Sequence, residues 1–155
     1  MKITILAVGQ RIVPWAQRAT RRYLSRFPRD FSVELKEIRT EPRNGQTPAK
    51  LKQAEGDRIL QSIASDDFVV ILDEHGKDCT TMDLAHLCAQ WRREKDHVVF
   101  VIGGPDGLSP EVKERGNFCL RLSQMTLPHA MARVLLAEQL YRAWSILVNH
   151  PYHRA

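Results

Sequence analysis

Cysteine is scarce in this chain and poorly placed for cross-linking. Cys79, Cys88 and Cys119 are the only three, an odd number with no Cys-x-x-Cys pair. That excludes a disulfide framework and a dithiol redox motif, and reads as reduced thiols in a cytoplasmic protein. His75, Cys79, His86 and Cys88 lie close together but match no zinc spacing, so no metal is expected. Long apolar runs are also missing. None approaches the ~20 residues a membrane-spanning helix needs. The residues after Lys2 read directly as a strand, with no small-residue cleavage site, so a secretory leader is not expected. No internal repeat or low-complexity segment occurs. Acidic residues are absent from positions 1–29, which hold seven Lys/Arg: Lys2, Arg11, Arg18, Arg21, Arg22, Arg26 and Arg29.

The charge is uneven beyond that point. Residues 30–114 carry 11 basic and 17 acidic side chains, and residues 115–155 carry five basic against Glu138 alone. Basic ends around an acidic middle fit either surfaces that meet a polyanion or plain solubility. With 155 residues, 43% of them hydrophobic, the chain suits a single domain, 1–155, with a full core.

Strand-like and helix-like patterns alternate along it. Lys2–Val8 reads as a strand ending at Gly9. A helix follows over roughly Val13–Phe27, and Arg18, Arg22 and Arg26 recur every four residues down one side. Like charges at that spacing repel unless an anion is present, so this face is the best candidate for a phosphate contact. A solvated face is the alternative. Phe31–Ile38 alternates apolar and polar residues, as an edge strand does. Glu41–Pro48 is a polar loop and the segment expected to be most mobile. Ala49–Ile63 reads as a helix weakened by Gly56. Phe68–Leu72 is an apolar strand ended by Asp73–Lys77, and Thr80/Thr81 starts a helix to about Lys95.

The stretch Val98–Pro110, VVFVIGGPDGLSP, organises the rest. Val98–Ile102 is apolar without alternation, as in a strand buried on both faces. Gly103-Gly104-Pro105 breaks it, and Ser109-Pro110 reads as a helix start with a serine cap. A buried strand, a glycine bend and a new helix mark where open α/β sheets bind ligands. The glycines form neither G-x-G-x-x-G nor a P-loop. Together with Phe68–Leu72, two buried strands end in bends that line one crevice. After a short strand, Phe118–Leu122, and a link, Ser123–Leu127, a long helix runs from Pro128 to about Asn149. It has two apolar stripes, which imply burial on two sides; a second subunit is a candidate for the outer cover. The pattern predicts an α/β domain with a largely parallel sheet flanked by helices.

Three stretches are more specific together than any alone: LDEHGK (Leu72–Lys77), IGGPDGLSP (Ile102–Pro110), and LSQMTLPHAMARVLLAEQLYRAWSI (Leu122–Ile146) with NHPYHR after it. On these, the whole chain resembles the ribosomal RNA large subunit methyltransferase H family, of the SPOUT class of S-adenosylmethionine enzymes. The resemblance implies an α/β fold with a C-terminal trefoil knot and a homodimer. It implies methylation of N3 of a pseudouridine in 23S ribosomal RNA on the assembled ribosome. By the same resemblance, S-adenosylmethionine contacts fall on Leu72, Gly103, Leu122, Ser123, Gln124, Met125, Thr126 and Leu127. Gln124 and Met125 would act through their backbones.

Methyl transfer needs donor and acceptor aligned, and the N3 proton of the base must leave. Arg142, on the narrow polar line of the last helix, is the candidate to face the base or its phosphate. The alternative is an intrahelical pair with Glu138. Tyr152, His153 and Arg154 could stack on and grip an unpaired base, or be a frayed end. His129 is a candidate proton relay, the alternative being a histidine that satisfies local backbone. Two other readings compete: a non-enzymatic ribosome- or RNA-binding protein that uses the basic ends, and a Rossmann-type nucleotide enzyme, which the glycine spacing opposes.

Overall fold

The computed structural model describes residues 1–10 and 12–154; Arg11, one of the seven N-terminal basic residues, lies outside them. The strands are β1 (Lys2–Val8), β2 (Ser32–Ile38), β3 (Phe68–Asp78), β4 (His97–Ile102) and β5 (Phe118–Arg121). The helices are α1 (Pro14–Leu24), α2 (Pro48–Gln61), α3 (Thr81–Glu94), α4 (Pro110–Arg115) and α5 (His129–Leu147). The strands pair in the order β2-β1-β4-β3-β5, and every pairing is parallel.

The sheet order follows from the residue patterns. Val98–Ile102 of β4 is buried throughout and takes the centre, while β2, with its wet face, takes an edge. One face of the sheet is covered by α3 and α5, with Leu84, Cys88, Trp91, Leu136, Leu140 and Ala143 packed on Ile3, Ile5, Val70 and Phe100. The opposite face is covered by α2, α4 and the turn before α4, through Ile59, Val112 and Leu108 on Leu6, Val69 and Val101. Gly56 in α2 is explained by this second layer. A β-carbon there would stand 2.4 Å from Ser109 Oγ and 3.2 Å from Val112 Cγ2, so the residue that weakens the helix also lets α2 approach α4.

Two expected boundaries are corrected. The first helix stops at Leu24 rather than Phe27. The Arg26 amide turns back to the Tyr23 carbonyl, and Pro28 keeps Phe27 away from helical geometry. The strand Phe68–Leu72 does not end at Asp73. It runs on to Asp78, with a register shift in which Leu120 of β5 faces both Leu72 and Lys77. The intervening polar residues hide that continuation in the sequence, as irregular pairing generally does. Ser109 caps α4 as expected, its hydroxyl accepting from the Val112 amide. The Glu41–Pro48 loop is tied down at several points: Arg43 pairs with Asp106, Glu41 pairs with Arg58, and the Glu41 amide donates to buried Glu55.

Candidate active site

Leu72 of β3 and Ile102, the last residue of β4, sit side by side where the pairing of these two strands ends. A cavity of about 530 Å³ opens beyond them, walled by Leu72 and Asp73, the glycine turn Gly103–Leu108, the link after β5, and His129 of α5. Gly103 has no room for a side chain, because a β-carbon would stand 2.9 Å from the Leu108 side chain. Its main chain therefore forms the wall directly. Gly107, at φ +82°, closes the turn by donating its amide to the Gly104 carbonyl.

Of the residues expected at a cofactor, Leu72, Gly103, Leu122, Ser123, Met125, Thr126 and Leu127 line this cavity. Gln124 does not line it; its side-chain amide donates to Asp78 Oδ2 at 3.3 Å. Asp78 also takes the Arg121 guanidinium, which holds its carboxyl below the usual range, and together these contacts fasten the Ser123–Leu127 link to the end of β3. The Ser123 hydroxyl accepts from the Met125 amide and tightens the same link. On the facing wall Lys113 pairs with Asp73 at 3.2 Å. Burial raises the Asp73 pKa, but the His75 amide and Lys113 outweigh it and the net shift is downward.

His129 opens α5 on the cavity wall. Burial, then the Arg133 charge, holds its pKa below the ordinary value, with the Gly103 backbone pulling the other way. Arg133 itself is fully buried, one turn further along α5. The sequence reading passed over it, although a signal existed: Arg133 stands four residues before Ala137, on the apolar stripe that continues to Tyr141. A cation on a core stripe needs buried partners.

Arg142, Tyr152, His153 and Arg154 lie elsewhere; none lines the cavity. Glu138 is their centre. Its Oε1 accepts from Arg142 Nε at 2.8 Å and from the Tyr152 hydroxyl at 3.0 Å, so the intrahelical pair with Glu138 does form. The Arg142 guanidinium also lies 5.0 Å from the centre of the Tyr152 ring. Burial, then hydrogen bonding to Tyr23 and Glu138, raises the Tyr152 pKa, so its hydroxyl keeps its proton and donates. The tail is docked rather than frayed. Pro151–His153 form a 3₁₀ turn, Tyr152 packs edge-on against Tyr141 at 4.7 Å, and His153 Nδ1 lies 3.2 Å from Ser145 Oγ. Arg154 is exposed.

Arg18, Arg22 and Arg26 are all exposed. Arg18 and Arg22 form no ion pair among the described residues. Arg26 lies over the rings of Tyr23 and Tyr141, at 5.3 and 5.6 Å, which joins the basic stripe to the aromatic cluster around Tyr152. No group of side chains among the described residues could hold a metal ion, and no helix of the described chain is long and apolar enough to cross a membrane.

Comparison with known proteins gives a consistent result. A relative from Polaromonas naphthalenivorans (strain CJ2), named "Ribosomal RNA large subunit methyltransferase H", is 53% identical over 154 residues, covering 99% of each chain. A protein of the same name from Bordetella petrii is 50% identical over 156 residues and covers all of both chains. Another, from Acidovorax ebreus (strain TPSY), is 51% identical over 99% of each. The family model described as "Predicted SPOUT methyltransferase" matches residues 1–153. The parallel sheet, the cavity beyond its strand ends and this match over nearly the whole length agree: the chain belongs to the SPOUT methyltransferase family.

Proposed function

We propose that this protein methylates N3 of a pseudouridine in 23S ribosomal RNA, with S-adenosylmethionine as donor, and that it acts in the cytoplasm as a homodimer on the assembled ribosome. The observation that carries the reading is the end-to-end likeness, at about half identity, to relatives named as ribosomal RNA methyltransferases. The cavity fits the donor. Leu72, Ile102, Leu122 and Leu127 offer an apolar slot, and Gly103 with the link residues Ser123, Met125, Thr126 and Leu127 brings main-chain amides and carbonyls to its wall. Those groups suit an adenine edge and ribose hydroxyls better than any single side chain would. Bound there, the donor supplies an electrophilic methyl group on a sulfonium.

The polypeptide's part is alignment and charge. Arg142 is the candidate to face the uracil ring or its phosphate, where a cation favours loss of the N3 proton. Tyr152, His153 and Arg154 are the candidates to hold the base, while Arg18, Arg22 and Arg26 meet the phosphate backbone. None of these lines the cavity of its own chain, which supports a dimer in which one protomer's tail faces its partner's donor. Part of the outer stripe of α5 is open to that pairing: Val134 and Trp144 are only partly buried and Val148, just past the helix, is exposed, while Ala137 and Tyr141 are covered within the chain. We further propose that the chain is knotted, the segment after β5 passing under the β3 extension. The backbone-to-backbone approach of Gly76 and Leu120 supports this.

A tritiated methyl donor incubated with the protein and ribosomes tests the reading. Label in 23S RNA at a pseudouridine is the expected result. Ribosome binding without transfer would instead favour a non-enzymatic ribosome-binding protein.

A further inference from the structure

Arg133 has no part in the function proposed above, yet it is the largest fully buried side chain among the described residues. Its fork joins three elements at the ligand-binding end of the sheet. Nη1 donates to Glu37 Oε2 at 2.9 Å, near the end of β2. Nη2 donates to the Gly9 carbonyl at 3.0 Å, just past β1, and meets His129 Nε2 at 3.1 Å. Gly9 presents that carbonyl from φ +120°, a conformation other residues rarely adopt. The arginine Nε has no partner among the described residues, so the network is held together from the two terminal nitrogens.

The chemistry of the fork constrains the histidine. A guanidinium has donors only and keeps its proton. His129 Nε2 must therefore accept, and the single proton of the ring must reside on Nδ1. The ring and Gly103 stand on the wall of the same cavity. We infer that Arg133 is a positioning residue: it fixes His129 in the Nδ1–H tautomer on the cavity wall, and it ties the first turn of α5 to the ends of β1 and β2. A lysine cannot replace it, because one ammonium cannot serve Glu37, Gly9 and His129 in the same plane. The effect on ligand binding rests on the donor occupying this cavity; the tautomer does not.

Ring-nitrogen NMR of the free protein, with His129 assigned through His129→Gln, reads the tautomer directly. The expected spectrum has a pyridine-like Nε2 and a pyrrole-like Nδ1. Calorimetry with S-adenosylmethionine and its demethylated product reads the consequence. Arg133→Lys should mix the tautomers and weaken binding about tenfold, the equivalent of losing one charge-assisted hydrogen bond, with RNA affinity unchanged. His129→Gln, whose carboxamide offers both an acceptor and a donor, should retain binding that His129→Leu loses. An Nε2–H ring in the wild type overturns the inference, as does an Arg133→Lys protein with unaltered tautomer and affinity. If Arg133→Lys does not fold, the wild-type spectrum and the two His129 variants decide the matter. If the wild type binds no donor, the cavity reading fails while the spectrum still decides the tautomer.

Discussion

A β-carbon on Gly76 would stand 2.5 Å from the carbonyl carbon and 2.7 Å from the α-carbon of Leu120. The β3 extension therefore packs on β5 with main chain against main chain, and neither side has a flexible group to give way. Leu122, two residues further on, lines the cavity, so this close approach and the site share one short piece of chain.

Gly76→Ala should accordingly be among the costly small substitutions. Forced overpacking typically costs ~1–3 kcal/mol, and a backbone neighbour puts it at the upper end. That lowers the melting temperature of a chain this size by roughly 5–10 °C and weakens donor binding through the displaced link. Gly107→Ala is the control: φ is +82° but nothing stands within 4 Å, so only backbone strain of about 1 kcal/mol applies. Thermal melts of the two variants should rank them in that order. Equal melting points would mean that the Gly76–Leu120 contact is loose.

Arg142→Ala removes a guanidinium from Glu138 but leaves that carboxylate the Tyr152 hydroxyl and the Gln139 amide. The fold should survive with a loss below about 1 kcal/mol, as for other partly exposed pairs. Methyl transfer to ribosomes should fall by roughly 10²-fold or more, the usual cost of losing a charge-stabilising group, while calorimetric donor affinity stays within about twofold. A variant that transfers normally would reduce Arg142 to a helix-stabilising residue.

Arg18 and Arg22 make a different kind of prediction because they are exposed and unpaired among the described residues. Each phosphate contact adds about 0.7–0.9 to the slope of log affinity against log salt. Arg18→Ala and Arg22→Ala should each flatten that slope by roughly one contact and weaken RNA binding alike for all sequences. Filter binding over a salt series measures this. A wild-type profile already flat in salt would contradict a polyanion-facing α1.

Much of the layout was legible because the sheet interior writes itself in unbroken apolar runs. Val98–Ile102 and Phe68–Leu72 declare two buried neighbouring strands, and their glycine and polar ends declare the crevice. The continuation of β3 was not legible, since Asp73–Asp78 carries the polar residues of a turn and is held by its pairing with β5. Gly56 and Gly76 illustrate the same limit. A glycine in a sequence signals permissiveness, but only the fold supplies the neighbour, Ser109 or Leu120, that makes it necessary. Arg133 was missed because periodicity sorts residues by hydrophobicity. A buried cation is stabilised by Glu37 and Gly9, which are remote in sequence. Gln124 sat in a motif of cavity residues, and only the geometry of Asp78 turns its side chain away.

Stability should fall in two steps as the solution is acidified, and the sign of each follows from its pKa shift. His129 is held below its ordinary value of about 6.5, chiefly by burial and then by the Arg133 charge. Between the folded and unfolded values the unfolded chain binds the extra proton, so stability drops as pH descends through ~6.5 and levels off below the folded value. Asp73, Asp78 and Asp83 are shifted down by their partners. Their stabilisation is complete above ~4 and is lost as pH falls through their lowered values. Melting temperatures from pH 8 to pH 3 should therefore show a limb near neutrality and another in acid. His129→Gln should flatten the first limb and leave the second. Asp78→Asn, which frees Arg121, should lower the plateau and shrink only the second. Parallel curves for wild type and His129→Gln would show that another group titrates there.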